Sequence, residues 1–144
     1  MRPIYLDYNA TTPVHPDVLI AMEPYWGPEG AFGNSSSDHV YGHDAGVAIE
    51  NARQQVANAI HCRPEELFWT SGATESNNLA IQGAAKFYGR RGKHLITTAI
   101  EHKAVLDVFL QLEREGYSVT ILKPQANGLI SLSELEAALR PETI

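Results

Sequence analysis

Residues 67–78 read Leu-Phe-Trp-Thr-Ser-Gly-Ala-Thr-Glu-Ser-Asn-Asn. The apolar run Leu67 to Thr70 predicts a short buried strand. Leu79, Ala80, Ile81, Ala84, Ala85, Phe87 and Tyr88 follow and predict a helix that is apolar almost all round. Such a helix is expected to be covered on both sides. Between strand and helix, Gly72 lets the backbone turn tightly. A sharp turn into a helix leaves the N–H groups of Gly72, Ala73 and Thr74 without intrahelical partners. With the positive end of the helix dipole they form a cup for an anion, and the Thr74 hydroxyl adds a donor. Phosphate suits this cup better than carboxylate, because three oxygens can use three convergent donors. The plainer reading is that Ser71 or Gly72 merely caps the helix. The stretch is not a Walker loop, since no Lys-Ser/Thr follows at the required distance.

Downstream, His94 to Ala99 predicts a second strand. Residues 103 to 115 predict a helix carrying Val105, Leu106, Phe109, Leu110 and Leu112, ended by Gly116. Val119 to Leu122 predicts a third strand, and Asn127-Gly128 a turn. Ser131 with Glu134 makes a capping box for a last helix bearing Leu132, Leu135 and Leu139, stopped by Pro141. The alternation β-α-β-α-β-α gives the α/β class, with a mostly parallel sheet and right-handed crossovers. The pattern calls for another strand after the last helix, and without it one sheet edge is left unpaired.

Upstream, a short extended run (Ile4 to Asp7) leads into a polar turn through Asn9, Thr11, Thr12 and Pro13. Pro16 suits the first position of a short helix with Leu19, Met22 and Tyr25, which Pro24 and Gly27 end. Residues 27 to 39 are rich in Gly, Ser, Asn and Pro and predict an exposed loop. Asp44 then stands as the N-cap of an amphipathic helix whose face is Ala45, Ile49, Ala52, Val56 and Ile60.

A second chemical signal is Glu101-His102-Lys103, directly after the strand ending at Ala99. Ligands of open α/β sheets bind beyond the carboxyl ends of the strands. If the strands at 67–70 and 94–99 are parallel, Thr74 and His102 face one crevice. An imidazole there can stack on a flat ring or move protons near neutral pH. Taken alone, His102 reads as a cap or packing residue at a helix start; its convergence with the first motif carries the functional reading. Lys103 lies in the first turn of the same helix, where its amine would have to double back, and reads as a solvated charge.

Other chemistries find little support. His39 and His43 stand at i, i+4 with Gly42 between them and no accompanying carboxylates or thiols, while His15, His61 and His94 are scattered. No metal site is expected. Cys62 is the one cysteine, which excludes an internal disulfide and fits a reducing compartment. The 144 residues carry a formal charge of −6, spread along the chain, which argues against nucleic acid or an anionic membrane as main partner. No run approaches the ~18 apolar residues of a membrane span, and Asp7 stands where a signal peptide needs an apolar core. A soluble, cytoplasmic chain is expected.

At these residues the sequence resembles the cysteine desulfurases of the class-V aminotransferase family. Tyr5-Leu-Asp-Tyr-Asn-Ala-Thr-Thr-Pro13 looks like the family's opening motif. Gly33-Asn-Ser-Ser-Ser-Asp-His39 is similar to its Gly-Asn-Pro-Ser-Ser-x-His loop, with Ser35 where proline is usual. Phe68 to Asn78 looks like its phosphate-binding turn, and Glu101 to Val105 like the segment supplying a ring-stacking histidine. The stretch Asn127 to Leu135 also fits.

The resemblance implies fold type I, dimers, and pyridoxal 5′-phosphate (PLP) as cofactor. Residues 1–15 would be an N-terminal arm, and 16–144 the first part of the cofactor-binding large domain. Ala73 and Thr74 would hold the cofactor phosphate, and His102 would stack on the pyridine ring, with proton shuttling a second role open to it. L-Cysteine is the implied substrate and L-alanine the product. The sulfur would leave as a persulfide for iron–sulfur cluster or thio-cofactor assembly, passed to acceptor or scaffold proteins. In the family, the aspartate at the pyridine nitrogen, the Schiff-base lysine, the substrate-carboxylate arginine and the persulfide cysteine lie downstream of Ile144. Cys62 and Lys103 match none of these positions. An N-terminal portion that is inactive alone is therefore expected. A non-catalytic module docking on a desulfurase, and another class-V enzyme such as a selenocysteine lyase, are the alternatives.

Overall fold

The computed structural model describes residues 3–144, which divide into two compact units at Phe68/Trp69. In the first unit, Pro16 opens helix α1 (Pro16–Met22), where its fixed φ suits the first turn and its missing N–H costs nothing. The Nδ1 atom of His15 accepts from the Asp17 N–H, and a 3-10 turn, Glu23–Tyr25, follows the helix. Helix α2 spans Val40–Ile60. It starts four residues before the expected Asp44, because the His39 side chain already supplies the cap by accepting from the Gly42 N–H.

Gly42 does not interrupt α2, since the preceding loop packs onto it. A Cβ at Gly42 would lie 2.2 Å from the Ser37 carbonyl oxygen and 2.6 Å from that of Asn34. Of the expected apolar face, Ala45 is buried, whereas Ile49, Val56 and Ile60 stay exposed; Ala57, outside that face, is fully buried. His61, at φ +57°, ends the helix in the left-handed conformation.

In the second unit, α3 (Ala73–Tyr88) leads to strand β1 (His94–Thr98), α4 (Lys103–Arg114), β2 (Ser118–Leu122) and α5 (Leu132–Ala138). β1 and β2 pair in parallel, with His94 opposite Ser118 and Thr98 opposite Leu122. On the other side of β1, His94 donates its N–H to the Glu142 carbonyl and accepts from the Ile144 N–H. This parallel bridge at Thr143 gives β1 a neighbour on each side at its first residue. The strand expected after the last helix thus has its first rung here.

Leu67 to Thr70 is not a strand: the sheet of the described residues consists of β1 and β2. Leu67 does have extended dihedrals, so the propensity reading was correct about conformation and wrong about pairing. A strand needs a hydrogen-bonded neighbour, which periodicity cannot supply.

The core of this unit is Ala85, Leu95, Val108 and Leu112, with Ile81, Phe109, Tyr117 and Val119 packed around it. Burying a leucine such as Leu112 contributes about 1.5–3 kcal/mol. Among the described residues, the expected two-sided cover of α3 is absent. Ile81 and Ala85 face the core, but Leu79, Phe87 and Tyr88 are exposed. Gly116, at φ +92°, reverses the chain after α4, and the Tyr117 N–H returns to the Leu112 carbonyl.

Candidate functional site

α4 connects the carboxyl end of β1 to the amino end of β2, so it runs against both strands. α3 packs against α4, and its last turn is held at the amino end of the strands, where Tyr117 Oη donates to the Ala85 carbonyl at 2.9 Å. The two helices therefore run the same way and start at the sheet edge where the strands end. Gly72, Ala73 and Thr74 stand at one of these starts and His102 at the other.

Helices α1, α2, α4 and α5 each begin on a capping side chain, His15, His39, His102 and Ser131 in turn, that accepts a hydrogen bond from a backbone N–H of the first turn. α3 begins on Gly72 and has no side-chain cap. The plain capping reading of Ser71 fails, because its hydroxyl instead donates to the Glu75 carboxylate at 2.6 Å. Gly72 has φ +155° and ψ −177°, a region open almost only to glycine. Nothing lies within 4 Å of where its Cβ would be. Among the described residues, the N–H groups of Gly72, Ala73 and Thr74 have no acceptor. Three donors, a positive helix end and open space fit the phosphate of PLP.

The turn is braced from both sides. The Ser71 N–H donates to Glu75 Oε2 at 2.7 Å, and Thr70 Oγ1 lies 2.6 Å from Ser76 Oγ. The Ser71 hydroxyl and N–H together hold the Glu75 carboxyl below the usual carboxylate range. These braces were missed in the sequence. A Ser at 71 with a Glu four residues on was the signal available.

His102 is exposed, and its Nδ1 accepts from the Ala104 N–H at 3.1 Å. It is thus a helix cap, and its Nε2 and ring faces remain available. Lys103 points to Asp107, with Nζ 2.7 Å from Oδ2. Cys62 lies in the other unit, directly after α2. Among the described residues there is no group of three His, Cys, Asp or Glu placed to hold a metal, and no helix long and apolar enough to cross a membrane.

Two helices starting beside the carboxyl ends of two parallel strands, one on a bare glycine and one on a histidine cap, define an α/β protein. The aminotransferase class-V family model matches residues 4–144, and the chain belongs to that family. It is 58% identical over 143 residues to cysteine desulfurase IscS of Pseudomonas fluorescens (strain SBW25), covering 99% of this chain and 35% of that protein. With the protein of the same name from Vibrio vulnificus (strain YJ016) the identity is 57%, at the same coverage. Among solved structures, a NifS-like protein superposes with a TM-score of 0.91 at 37% identity, covering 98% of this chain and 38% of the other. SspA in complex with cysteine gives 0.88 at 44% identity, covering 97% and 40%. The chain spans about a third of the length of the curated relatives it matches.

Proposed function

We propose that this chain is the N-terminal part of a PLP-dependent cysteine desulfurase. The observation that carries the reading is the uncapped start of α3, three N–H donors at a glycine that no side chain fills, in a chain so similar to desulfurases. Ala73 and Thr74 bind the cofactor phosphate through their N–H groups, with the Thr74 hydroxyl as a further donor. His102, held by its helix cap, lays its ring beside the pyridine ring. PLP, when bound, serves as the electron sink that lets a C–S bond break.

The reaction is the conversion of L-cysteine to L-alanine: the substrate's C–S bond breaks, and its sulfur joins an enzyme cysteine thiol as a persulfide. That thiol is not Cys62, nor is Lys103 the lysine that binds the cofactor, so both groups come from the remaining two-thirds of such an enzyme. Alone, the chain binds without turning over. The first fifteen residues form an arm, and 16–144 belong to the large domain. A cytoplasmic homodimer handing sulfur to a scaffold for iron–sulfur clusters completes the reading.

The test is complementation. The chain is mixed with the complementary C-terminal portion of an IscS relative, and alanine release from cysteine is measured. Release that depends on both pieces, and falls at least tenfold with His102→Ala, supports the assignment. Saturable association without any alanine supports a non-catalytic module instead.

A further inference from the structure

The Thr70–Ser76 turn holds a carboxylate at the positive end of α3, where the proposed phosphate also sits. Glu75 Oε2 accepts from both the Ser71 N–H at 2.7 Å and the Ser71 hydroxyl at 2.6 Å. A carboxylate free to swing would compete with phosphate for the helix start and would repel it. Here it is bound away from Gly72, Ala73 and Thr74, on the residue just before them. The second brace works on the same bend: Thr70 Oγ1 meets Ser76 Oγ at 2.6 Å and donates to the Gly72 carbonyl at 3.2 Å. Gly72 is caught between the two braces in its unusual conformation.

We infer that Glu75 is a positioning residue for the phosphate cup: it takes the Ser71 donors out of play and fixes the bend that aims the next three N–H groups outward. The inference rests on the phosphate reading and deepens it. Glu75 does not touch the anion; it acts through Ser71. Two consequences separate this role from plain helix stabilisation. Glutamine offers one carbonyl oxygen to the Ser71 N–H, so Glu75→Gln preserves the brace, whereas Glu75→Ala removes it. Removing the negative charge near an anion should by itself tighten phosphate binding, so a loss of affinity in Glu75→Ala is opposite in sign to the charge effect.

The test uses the 144-residue chain and its Glu75→Ala and Glu75→Gln variants, with PLP and inorganic phosphate as probes. Shifts of the Gly72, Ala73 and Thr74 amide signals are followed during titration, and Ser71 amide exchange is followed without ligand. Expected are PLP binding weakened roughly five-fold or more in Glu75→Ala, equal to or tighter than wild type in Glu75→Gln, and Ser71 exchange accelerated in Glu75→Ala alone. Unchanged or tighter binding by Glu75→Ala overturns the positioning role while leaving the phosphate cup intact. No saturable shift of the three amides in the wild-type chain overturns the cup itself, and the role with it. Circular dichroism that shows α3 lost in Glu75→Ala moves the decision to Glu75→Gln, where a five-fold loss with the helix intact counts against the brace.

Discussion

The Nδ1 atom of His102 accepts a 3.1 Å hydrogen bond from the Ala104 N–H, so one nitrogen of the ring is committed to starting α4. Accepting requires a lone pair at Nδ1, which places the proton of the neutral ring on Nε2. The ring the proposed cofactor meets is therefore oriented by the backbone. Asparagine also caps helices well, so His102→Asn should keep thermal stability near wild type. His102→Ala and His102→Phe should each lose about 1 kcal/mol. Urea unfolding of the three variants decides this, and equal losses in all three would show the cap to be worth nothing. Imidazole ¹⁵N shifts should report the Nε2–H tautomer.

His94 is fully buried at the start of β1, with Nδ1 2.7 Å from Thr143 Oγ1 and Nε2 2.8 Å from Thr120 Oγ1. It links β2 to the tail on the opposite side of β1. Burial pushes its pKa below the ordinary 6.5, Arg140 adds repulsion, and Glu142 offsets part of this. The unfolded chain therefore takes up a proton at higher pH than the folded chain. This contribution to stability is complete above pH 6.5 and declines as pH falls from there towards the folded pKa. Unfolding midpoints at about pH 7.5 and about pH 5.5 should differ more for wild type than for His94→Gln. Equal pH slopes in the two proteins would remove His94 from the account.

The α/β class, both paired strands and the three longest helices were legible because each rests on local signals. Apolar periodicity marked α4, Gly116 its end, and Ser131 the start of α5. The glycine turn into α3 was legible for the same reason, since a glycine between an extended run and a helix is a local pattern. Pairing was not. Leu67–Thr70 carries strand residues but finds no sheet neighbour among the described residues, while Thr143, expected only from the β-α alternation and not from its own residues, bridges His94. Exposure was misjudged likewise: Phe87 and Leu79 are apolar but face away from the Ala85 core. Hydrophobicity states what a side chain prefers; what covers it is decided by distant residues. The cap at His39 was missed because histidine is an unusual helix starter, and Asp44 offered a more familiar one.

Lys103 holds Asp107 one helical turn on, with Nζ 2.7 and 2.9 Å from the two carboxylate oxygens, and both side chains are largely exposed. Such a pair contributes about 0.3–0.5 kcal/mol. Lys103→Ala should leave stability almost unchanged and should not weaken PLP binding. Borohydride treatment of the chain with PLP, followed by peptide mass analysis, should find no cofactor fixed to Lys103. A stoichiometric adduct there would reverse the assignment of this lysine as a surface charge.

Gly72 combines φ +155° and ψ −177° with empty space on the side where a Cβ would stand. The obstacle to any other residue is thus backbone conformation and not crowding. Gly72→Ala should cost about 1–3 kcal/mol. Because nothing blocks a longer side chain, Gly72→Ser should cost about the same as Gly72→Ala. Either variant can relieve the strain only by changing the bend, which turns the Ala73 and Thr74 N–H groups away from a common point. PLP affinity should therefore fall in both, along with stability. Unfolding curves and a PLP titration on the same preparations check the pair of outcomes. Gly72→Ala with wild-type stability and wild-type affinity would show that the bend tolerates an ordinary residue, and that the cup owes nothing to this glycine.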